Sequence, residues 1–301
     1  MAPLEITTRA FAKVNLDLRL VGLLPDGYHD VRTVLQTIRL HDTLCIRRTR
    51  GPLVIECDTP GVPVDARNLV WKAAALLHAV VRGGTGEPRG LHVQLRKRIP
   101  AEAGLGGGSS DAAAMLIAAS RLWRLRLDLP TLARLGARLG ADVPFFLSGG
   151  TAMGVGRGDD VSPLVEPPPS WVVLICPEFG VSTAEAYRWY DEDARSRVRR
   201  PARRLPADWP AWAAGVGNDL EAPVARRHPR IRHAVRALTR QGAAYAAMSG
   251  SGSAVFGVFG DRESAAAAER RLTAAGWRAM LSRTVSRAAV RREQRRALAG
   301  D

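Results

Sequence analysis

A glycine-rich string at residues 104–110, reading Gly-Leu-Gly-Gly-Gly-Ser-Ser, restricts the fold of this chain more than any other feature. Glycine has no side chain, so the backbone N–H groups of such a string can approach a bound anion closely. The following residues, 110–122, place apolar side chains at helical spacing and predict a helix. The start of a helix adds free N–H groups and the positive end of the helix dipole. The string therefore predicts a phosphate-binding loop that leads into a helix.

Two common phosphate-binding loops do not fit this string. A Walker A loop ends in Gly-Lys-Ser/Thr, and the chain has no lysine between Gly104 and Ser120. A dinucleotide-binding loop needs a third glycine at the position that Ser109 occupies here. A turn without any ligand is the other alternative, although three successive glycines cost backbone entropy that a simple turn avoids.

Apolar periodicity along the chain predicts a mixture of strands and helices. The predicted strands are residues 16–20, 31–40, 43–48, 91–97, 171–175 and 278–285, with two more flanking 248–253; the predicted helices are 69–81, 110–122, 130–140, 184–190, 231–240 and 264–275. The proline-rich segment 166–170 is the best domain boundary, and residues 195–209 are predicted to be an irregular insertion. This mixture predicts two α+β domains, residues 1–165 and 166–301.

The net charge of +15 comes from 41 arginines and only three lysines against 29 acidic residues. Such a charge is typical of proteins that bind nucleic acid, membranes or acidic substrates. The two densest clusters, residues 195–204 and 283–296, do not interleave aromatic residues as a base-stacking surface would. We therefore interpret the charge as solvated surface, with a basic RNA-associated protein as the alternative. Because arginine is so common here, the lysines at positions 13, 72 and 97 stand out.

The chain shows no signal peptide and no predicted membrane span. Its longest uncharged run, residues 241–260, contains five glycines and three serines and predicts a strand, a loop and a strand. The three cysteines, Cys45, Cys57 and Cys176, form no CxxC pair. These features predict a cytoplasmic protein with no membrane partner.

Three motifs together resemble the GHMP kinase superfamily. The glycine-rich loop resembles the second motif of these kinases, Lys13-Val-Asn15-Leu-Asp-Leu resembles the first, and the stretch from Met248 to Phe256 resembles the C-terminal glycine motif. All three occur in the expected order over nearly the whole chain. The resemblance implies a two-domain α+β fold, with an N-terminal ribosomal-S5-like domain and a C-terminal ferredoxin-like domain. It also implies an ATP-dependent kinase that uses Mg²⁺.

Two shorter strings resemble one branch of this superfamily. They are Asp26-Gly-Tyr28-His29, soon after the first strand, and Leu139-Gly-Ala-Asp142-Val-Pro-Phe. That branch phosphorylates the 2-hydroxyl of a cytidyl diphosphate sugar alcohol in non-mevalonate isoprenoid biosynthesis. The resemblance therefore implies this small molecule and ATP as the partners, no nucleic acid, and a monomer or weak homodimer. Another GHMP kinase, acting on a simpler alcohol, is the alternative within the same class.

The resemblance also implies roles for individual residues. Asp142 would be the base for the substrate hydroxyl, with a helix cap as its alternative role, and Lys13 would neutralise charge on the transferred phosphoryl group. Nucleotide binding is implied for Lys97, Pro100, Ala101, Glu102, Ala103, Gly104, Leu105, Gly106, Gly107, Gly108, Ser109 and Ser110; substrate binding is implied for Asn15, Tyr28, His29, Thr183 and Tyr187. A surface lysine is the alternative for Lys97, and helix packing is the alternative for Tyr187. No metal-binding residue is assigned.

Overall fold

The computed structural model describes residues 5–82, 89–193, 208–210, 213 and 215–299, and it contains two β-sheets flanked by helices. The strands are β1 (Glu5–Leu23), β2 (His29–Pro52), β3 (Val54–Cys57), β4 (Arg89–Arg96), β5 (Thr151–Val155), β6 (Asp160–Pro163), β7 (Trp171–Ile175), β8 (Tyr245–Met248), β9 (Val255–Phe259) and β10 (Ala279–Arg283). The helices are α1 (Leu69–Arg82), α2 (Gly107–Leu122), α3 (Leu129–Ala137), α4 (Val143–Ser148), α5 (Thr183–Glu192), α6 (Glu221–Arg227), α7 (Pro229–Arg240), α8 (Arg262–Ala274) and α9 (Arg287–Ala299).

The long strands β1 and β2 are the framework of the first sheet. They pair antiparallel along almost their whole length, and β2 also pairs with β4 and β5. The full order is β3-β4-β2-β5-β6, with β1 on β2. The second sheet is antiparallel, in the order β10-β7-β9-β8. The predicted α+β fold class is confirmed.

A shared apolar layer joins the two sheets. Val172 and Leu174 of β7 pack against Val14 and Ile38 of the first sheet, and all four side chains are buried. Because side chains alternate along a strand, the neighbouring residues of β7 point to the other face and pack with α6, α7 and α8. Helices α1, α2 and α4 cover the far face of the first sheet. The layers therefore run helix, sheet, sheet, helix.

Polar contacts tie β1 to the segment before α6. Leu18 and Gly217 share a backbone hydrogen bond of 2.8 Å, and the Arg19 guanidinium bonds to the carboxylate of Asp219 at 3.2 Å. The buried Asp17 carboxylate, on a side chain that is 8% exposed, accepts hydrogen bonds from Arg19 and from the N–H of Gly217. Burial raises the pKa of Asp17, although the charges of Arg19 and Arg32 and the Gly217 hydrogen bond oppose that rise.

The largest difference from the predicted elements is α9. The predicted strand 278–285 is β10, but most of the charged cluster 283–296 is this helix, which was not predicted. Its apolar residues are four alanines, Val290 and Leu298, so its apolar pattern is weak. Among the residues of this helix whose burial is described, Val290 is the one that is buried, against Phe11 and Val285, while Ala289, Ala297 and Leu298 are partly buried. The irregular insertion predicted at 195–209 falls almost entirely outside the described residues.

Several other elements differ in their limits, among them β1, which extends from Glu5 to Leu23 although only residues 16–20 were predicted as a strand. Helix α2 begins at Gly107, not at residue 110, because Gly106 adopts a left-handed conformation and ends the loop earlier. The predicted strands 31–40 and 43–48 are one strand, β2. The uncharged run 241–260 forms β8, a loop and β9 as predicted. No helix in the described part of the chain has the length and apolar content needed to span a membrane.

We expect the two sheets to unfold together, because Ile38 belongs to the layer that joins them and is fully buried. Ile38→Ala should cost about 2–5 kcal/mol of unfolding free energy and leave a single cooperative transition. Urea unfolding followed by tryptophan fluorescence and far-UV circular dichroism tests this. Leu23→Ala, at a side chain that is 68% exposed, is the control. Two separate transitions in either protein would show that the shared layer does not couple the sheets.

Candidate active site

Lys13, on β1, is a buried cation at the centre of the candidate site. The residue is 3% exposed, and its Nζ donates to Asn15 Oδ1 at 2.6 Å and lies 3.4 Å from Asp142 Oδ2. A buried ammonium needs compensating charge, and the 3.4 Å contact with Asp142 is its only ion pair among the described residues. This one contact at 3.4 Å compensates the ammonium only in part, so Lys13 can also interact with an incoming anion.

Two glycine-rich loops meet beside Lys13: the N-terminal loop, which precedes α2, and the C-terminal loop, which joins β8 to β9. A Cβ added to Gly104 would lie 2.1 Å from the carbonyl oxygen of Ser249, and the Ser249 hydroxyl donates to the carbonyl of Gly104 at 2.9 Å. A Cβ on Gly250 would lie 3.2 Å from Lys13 Nζ. Since Gly104 and Gly250 both have positive φ angles, side chains there would add strain as well as collisions. These glycines allow the two loops to pack directly against each other.

The first half of the N-terminal loop is an anchor. The carbonyl of Leu105 accepts a hydrogen bond from the N–H of Lys13, and the carbonyl of Ala103 accepts one from the N–H of Ala254. The side chains of Ala103 and Leu105 are buried in the layer between the sheets. The carbonyl of Glu102 accepts from the N–H of Val181. The loop is thereby fixed to β1 and to the second sheet.

The second half of that loop provides the anion-binding groups. The first hydrogen bond within α2 runs from the N–H of Ser110 to the carbonyl of Gly106, so the N–H groups of residues 107–109 have no partner within the helix. The Ser110 hydroxyl donates to the carbonyl of Phe11 at 2.7 Å. The Ser109 hydroxyl has no hydrogen-bond partner among the described residues and lies close to Gly140. Of the serine pair, Ser109 is thus the one whose hydroxyl hydrogen is available to a ligand.

Asp142 precedes α4 but does not cap it. Its side chain makes no hydrogen bond to the helix N–H groups, so its alternative role as a helix cap does not fit the structure. Its carboxylate faces Lys13 instead, and its side chain is 35% exposed. The carboxylate is therefore reachable by a substrate and oriented by a buried cation.

Lys97 occupies a different kind of site. Its ammonium forms ion pairs with the carboxylates of Asp42 and Asp111, the latter at 2.7 Å. Burial opposes its charge, but the two carboxylates prevail and raise the pKa of Lys97. A Cβ on Gly107 would lie 3.4 Å from Lys97 Nζ. Lys97 is thus beside the loop, with its charge already compensated by protein carboxylates.

Asp111, the fifth residue of α2, is buried with one oxygen unpaired. Its Oδ2 binds Lys97, whereas Oδ1 has no hydrogen-bond partner. Burial raises the pKa of Asp111 to about 7, against the opposing charge of Lys97. The Lys97 ammonium and the carboxylates of Asp42 and Asp111 share this buried space. Because one cation compensates two carboxylates there, the two carboxylates together retain a proton to near neutral pH.

Asn218 and Glu221 position the C-terminal loop, and sequence reasoning missed both. The Asn218 amide donates to the carbonyls of Met248 at 2.9 Å and Gly250 at 2.7 Å. The Glu221 carboxylate accepts from the N–H of Met248 at 2.9 Å. The string Asn-Asp-Leu-Glu before a helix signals capping, but its contact with a loop thirty residues later depends on tertiary structure.

Helix α5 brings a second group of predicted residues together. His29 Nε2 lies 2.8 Å from the Asp191 carboxylate, and the His29 and Tyr187 rings are 4.9 Å apart. Burial raises the pKa of Tyr187 to about 12, and the charge of Asp142 adds to this rise. Thr183, at the start of the helix, is 3.2 Å from the hydroxyl of Ser251 in the C-terminal loop.

Tyr28 is separate from this group. Its side chain is exposed, and the Arg157 guanidinium lies over its ring, 4.3 Å from the centroid. Arg157 is also paired with Asp26 in the same turn. No ring contact joins Tyr28 to His29 or Tyr187 within the described residues.

These groups together suit phosphoryl transfer to an alcohol. Such a reaction needs an anchored polyphosphate, neutralised charge and a group that orients the attacking hydroxyl. The N-terminus of α2 provides the first, Lys13 the second, and Asp142 the third, all beside the junction of the two loops.

Comparison with known proteins agrees with this arrangement. Residues 68–150 match the GHMP kinases N terminal domain, and residues 195–278 match the GHMP kinases C terminal domain. The chain is 42% identical to the 4-diphosphocytidyl-2-C-methyl-D-erythritol kinase of Moorella thermoacetica, over 89% of this chain and 94% of that protein. It is also 42% identical to the Pelotomaculum thermopropionicum enzyme of the same name, over 86% and 91% of the two chains.

Solved structures give the same result. A crystal structure of 4-(cytidine 5'-diphospho)-2C-methyl-D-erythritol kinase superposes with a TM-score of 0.76 at 34% identity, covering 92% of this chain and 98% of that one. Mevalonate kinase from L. major has a TM-score of 0.68 at 16% identity, over 95% and 99% of the two chains, which shows a common fold. The chain is therefore a kinase of the GHMP class. Within that class it belongs to the family of 4-diphosphocytidyl-2-C-methyl-D-erythritol kinases.

The raised pKa of Asp111 predicts a pH-dependent stability. Between about pH 4 and 7 the folded protein retains a proton on Asp111 that the unfolded chain has lost, so stability should fall as pH rises through this window. Asp111→Asn should remove that slope. Thermal unfolding from pH 5 to 8 measures it, with Asp160→Asn, an exposed carboxylate on β6, as the control. Parallel curves for Asp111→Asn and wild type would refute the assignment.

Proposed function

We propose that this protein uses ATP to phosphorylate the 2-hydroxyl of 4-diphosphocytidyl-2-C-methyl-D-erythritol, a step of non-mevalonate isoprenoid biosynthesis. The observation that carries the proposal is the convergence of Lys13, Asp142 and both glycine loops at one point, next to a histidine and tyrosine pair. Relatives about 40% identical over most of the chain carry that substrate in their names.

Asp142 accepts the proton of the attacking hydroxyl in this proposal. Its carboxylate is accessible and lies 3.4 Å from Lys13 Nζ. The ammonium of Lys13 stabilises the negative charge that develops as the hydroxyl oxygen attacks the γ-phosphorus. Asn15 and the C-terminal loop hold Lys13 in place, since Asn15 accepts its hydrogen bond and Gly250 packs against it.

ATP binds with its phosphates on the N–H groups of residues 107–109 and the Ser109 hydroxyl. Lys97 holds the N-terminal side of this loop through Asp42 and Asp111 and serves nucleotide binding indirectly. The described residues contain no group of three or more His, Cys, Asp or Glu suited to a metal. Mg²⁺ carried by ATP phosphates needs only one or two protein oxygens, and Ser109 and Asp142 offer oxygen donors. When bound, Mg²⁺ neutralises phosphate charge.

The cytosine ring is recognised by His29 and Tyr187. In the tautomer of His29 that donates from Nε2 to the Asp191 carboxylate, Nδ1 is the hydrogen-bond acceptor. The exocyclic amine of cytosine is a donor that matches Nδ1, whereas the corresponding carbonyl of uracil is not. Tyr187 provides an aromatic face beside this acceptor, and Thr183 begins the same helix, whereas Tyr28 lies outside this group under Arg157. The three cysteines, all free thiols, support a reduced cytoplasmic setting.

Asp142→Asn should slow turnover by roughly 10²–10⁴-fold with little change in ATP affinity, because the variant keeps the shape but loses the proton acceptor. ADP release at saturating substrate measures turnover, and calorimetric titration measures ATP binding. Asp160→Asn is the matched control on an exposed strand. A near-wild-type rate in a folded Asp142→Asn protein would remove Asp142 from the mechanism.

The base contacts predict strong discrimination among substrates. Free methylerythritol should be a very poor substrate, and a uridyl analogue should lose roughly 10²-fold or more in kcat/KM, because an unmatched hydrogen-bonding group is buried. His29→Ala should reduce kcat/KM for the cytidyl substrate far more than it changes the KM for ATP. The control is His233→Ala, at an exposed position on α7.

Two outcomes would redirect the proposal. Equal use of the cytidyl substrate and free methylerythritol by the wild-type protein would leave a GHMP kinase of another alcohol. Salt-sensitive RNA binding without ATP turnover would favour the RNA-associated alternative.

A further inference from the structure

Thr33, on β2, belongs to a series of three buried hydrogen bonds that leads to Lys13. The Thr33 hydroxyl donates to the carbonyl oxygen of Asp17 at 2.7 Å, and Asn15 Nδ2 donates to Thr33 Oγ1 at 2.8 Å. At the other end, Lys13 Nζ donates to Asn15 Oδ1 at 2.6 Å. Lys13, Asn15 and Thr33 are each at most 5% exposed, so water has little access to these contacts.

The chemistry of the two ends fixes the direction of every hydrogen bond in the series. An ammonium group only donates, so the amide atom of Asn15 that faces Lys13 is the oxygen and the nitrogen faces Thr33. A backbone carbonyl only accepts, so the Thr33 hydroxyl gives its hydrogen to Asp17 and accepts from Asn15. Both ends therefore require the same orientation of the Asn15 amide.

Both neighbouring strands hold the Thr33 side chain in this position. On one side, the β1–β2 pairing shifts its register between Asn15 and Asp17, and irregularities of this kind commonly re-aim a side chain. On the other side, Thr33 pairs with Gly154 of β5. A Cβ at Gly154 would lie 3.3 Å from the Thr33 methyl carbon, so the glycine leaves room for this branched side chain. The methyl group thus faces β5 and the hydroxyl faces β1.

We propose that Thr33 is a positioning residue for phosphoryl transfer and acts through Asn15. Its hydroxyl fixes the Asn15 amide with the oxygen toward Lys13, and this oxygen helps to hold the ammonium 3.4 Å from the Asp142 carboxylate. This role rests on the proposed function, in which Lys13 stabilises charge on the reacting groups.

Loss of the Thr33 hydroxyl would leave the Asn15 amide nitrogen without its acceptor. The amide is then free to rotate, which places its N–H groups against the ammonium of Lys13. Because these groups repel each other, the ammonium would move away from its position beside Asn15 and Asp142. The hydrogen bonds of the Thr33 side chain are made to β1 and not to residues 107–109, so the affinity for ATP should change little.

Thr33→Val tests this role because it keeps the shape of the side chain and removes the hydroxyl. We expect kcat to fall roughly tenfold to a hundredfold, the effect that a small misplacement of catalytic groups produces, while the KM for ATP changes less than about threefold. Thr33→Ser keeps the hydroxyl and should retain kcat within about threefold of wild type. ADP release is measured at saturating ATP and alcohol. The alcohol is whichever one the wild-type protein phosphorylates, so a wrong substrate assignment and a wrong role for Thr33 give different results.

Thr151→Val is the matched control. Thr151 is a buried threonine of β5, in the same sheet, and its hydroxyl donates to Gln36 Oε1 at 2.6 Å. The variant loses a buried hydroxyl of the same kind but keeps the acceptor of Asn15, so kcat should stay within about twofold of wild type. Equal losses of kcat in Thr33→Val and Thr151→Val would show a general effect of removing a buried hydroxyl and contradict the proposal.

A double-mutant cycle separates a role through Asn15 from a general structural role. In an Asn15→Ala protein the amide is absent, so adding Thr33→Val should lower kcat by less than about twofold. The same large loss in both backgrounds would overturn the proposal, as would a Thr33→Ser variant as slow as Thr33→Val. Circular dichroism and thermal unfolding establish that each variant folds. If Thr33→Val does not fold, Thr33→Ala takes its place in every comparison.

Discussion

The contact between Gly104 and Ser249 is the constraint on which the rest of the site depends. The backbones of the two glycine loops approach so closely that a single methyl group on Gly104 would overlap a carbonyl oxygen. This approach is possible only because the two sheets pack face to face, which brings β1 and the β8–β9 loop to the same place. The packing of the two sheets in the apolar layer therefore also brings the two loops together and forms the site.

Two buried lysines show how the protein divides structural from functional charge. Lys97 has two carboxylate partners, and the price of burying it is offset within the protein. Lys13, which is less exposed still, has one longer ion pair and an amide oxygen. A buried cation with incomplete compensation gains most when a phosphate arrives. The difference in pairing, more than the presence of lysine, separates the residue suited to act on the phosphoryl group from the one that holds the loop.

The sequence was sufficient to predict much of this arrangement and insufficient for the rest, for physical reasons. The glycine string and the motifs around Lys13 and Asp142 each consist of residues adjacent in the sequence, so they can be identified without knowledge of the fold. No local pattern indicates that Ser110 and Lys97 use their polar groups within the protein, because Phe11 and Asp42 approach them only after folding. Asn218 and Glu221 were missed for the same reason. Helix α9 was not predicted because charged residues separate Ala289 and Val290 from Ala297 and Leu298, the described apolar residues of this helix that pack against the protein, so its apolar period is weak.

Helix α5 explains how a distant base can influence transfer at the hydroxyl. Its first residue, Thr183, contacts Ser251 in the C-terminal loop, and its middle residue, Tyr187, lies within the electrostatic reach of Asp142 and beside His29. Near its end, Asp191 holds the His29 ring. One rigid element thus touches the loop, the carboxylate and the base-recognition residues. Binding energy gained at the base can therefore fix the position of the hydroxyl relative to Asp142, because the two ends of the substrate would contact the same helix.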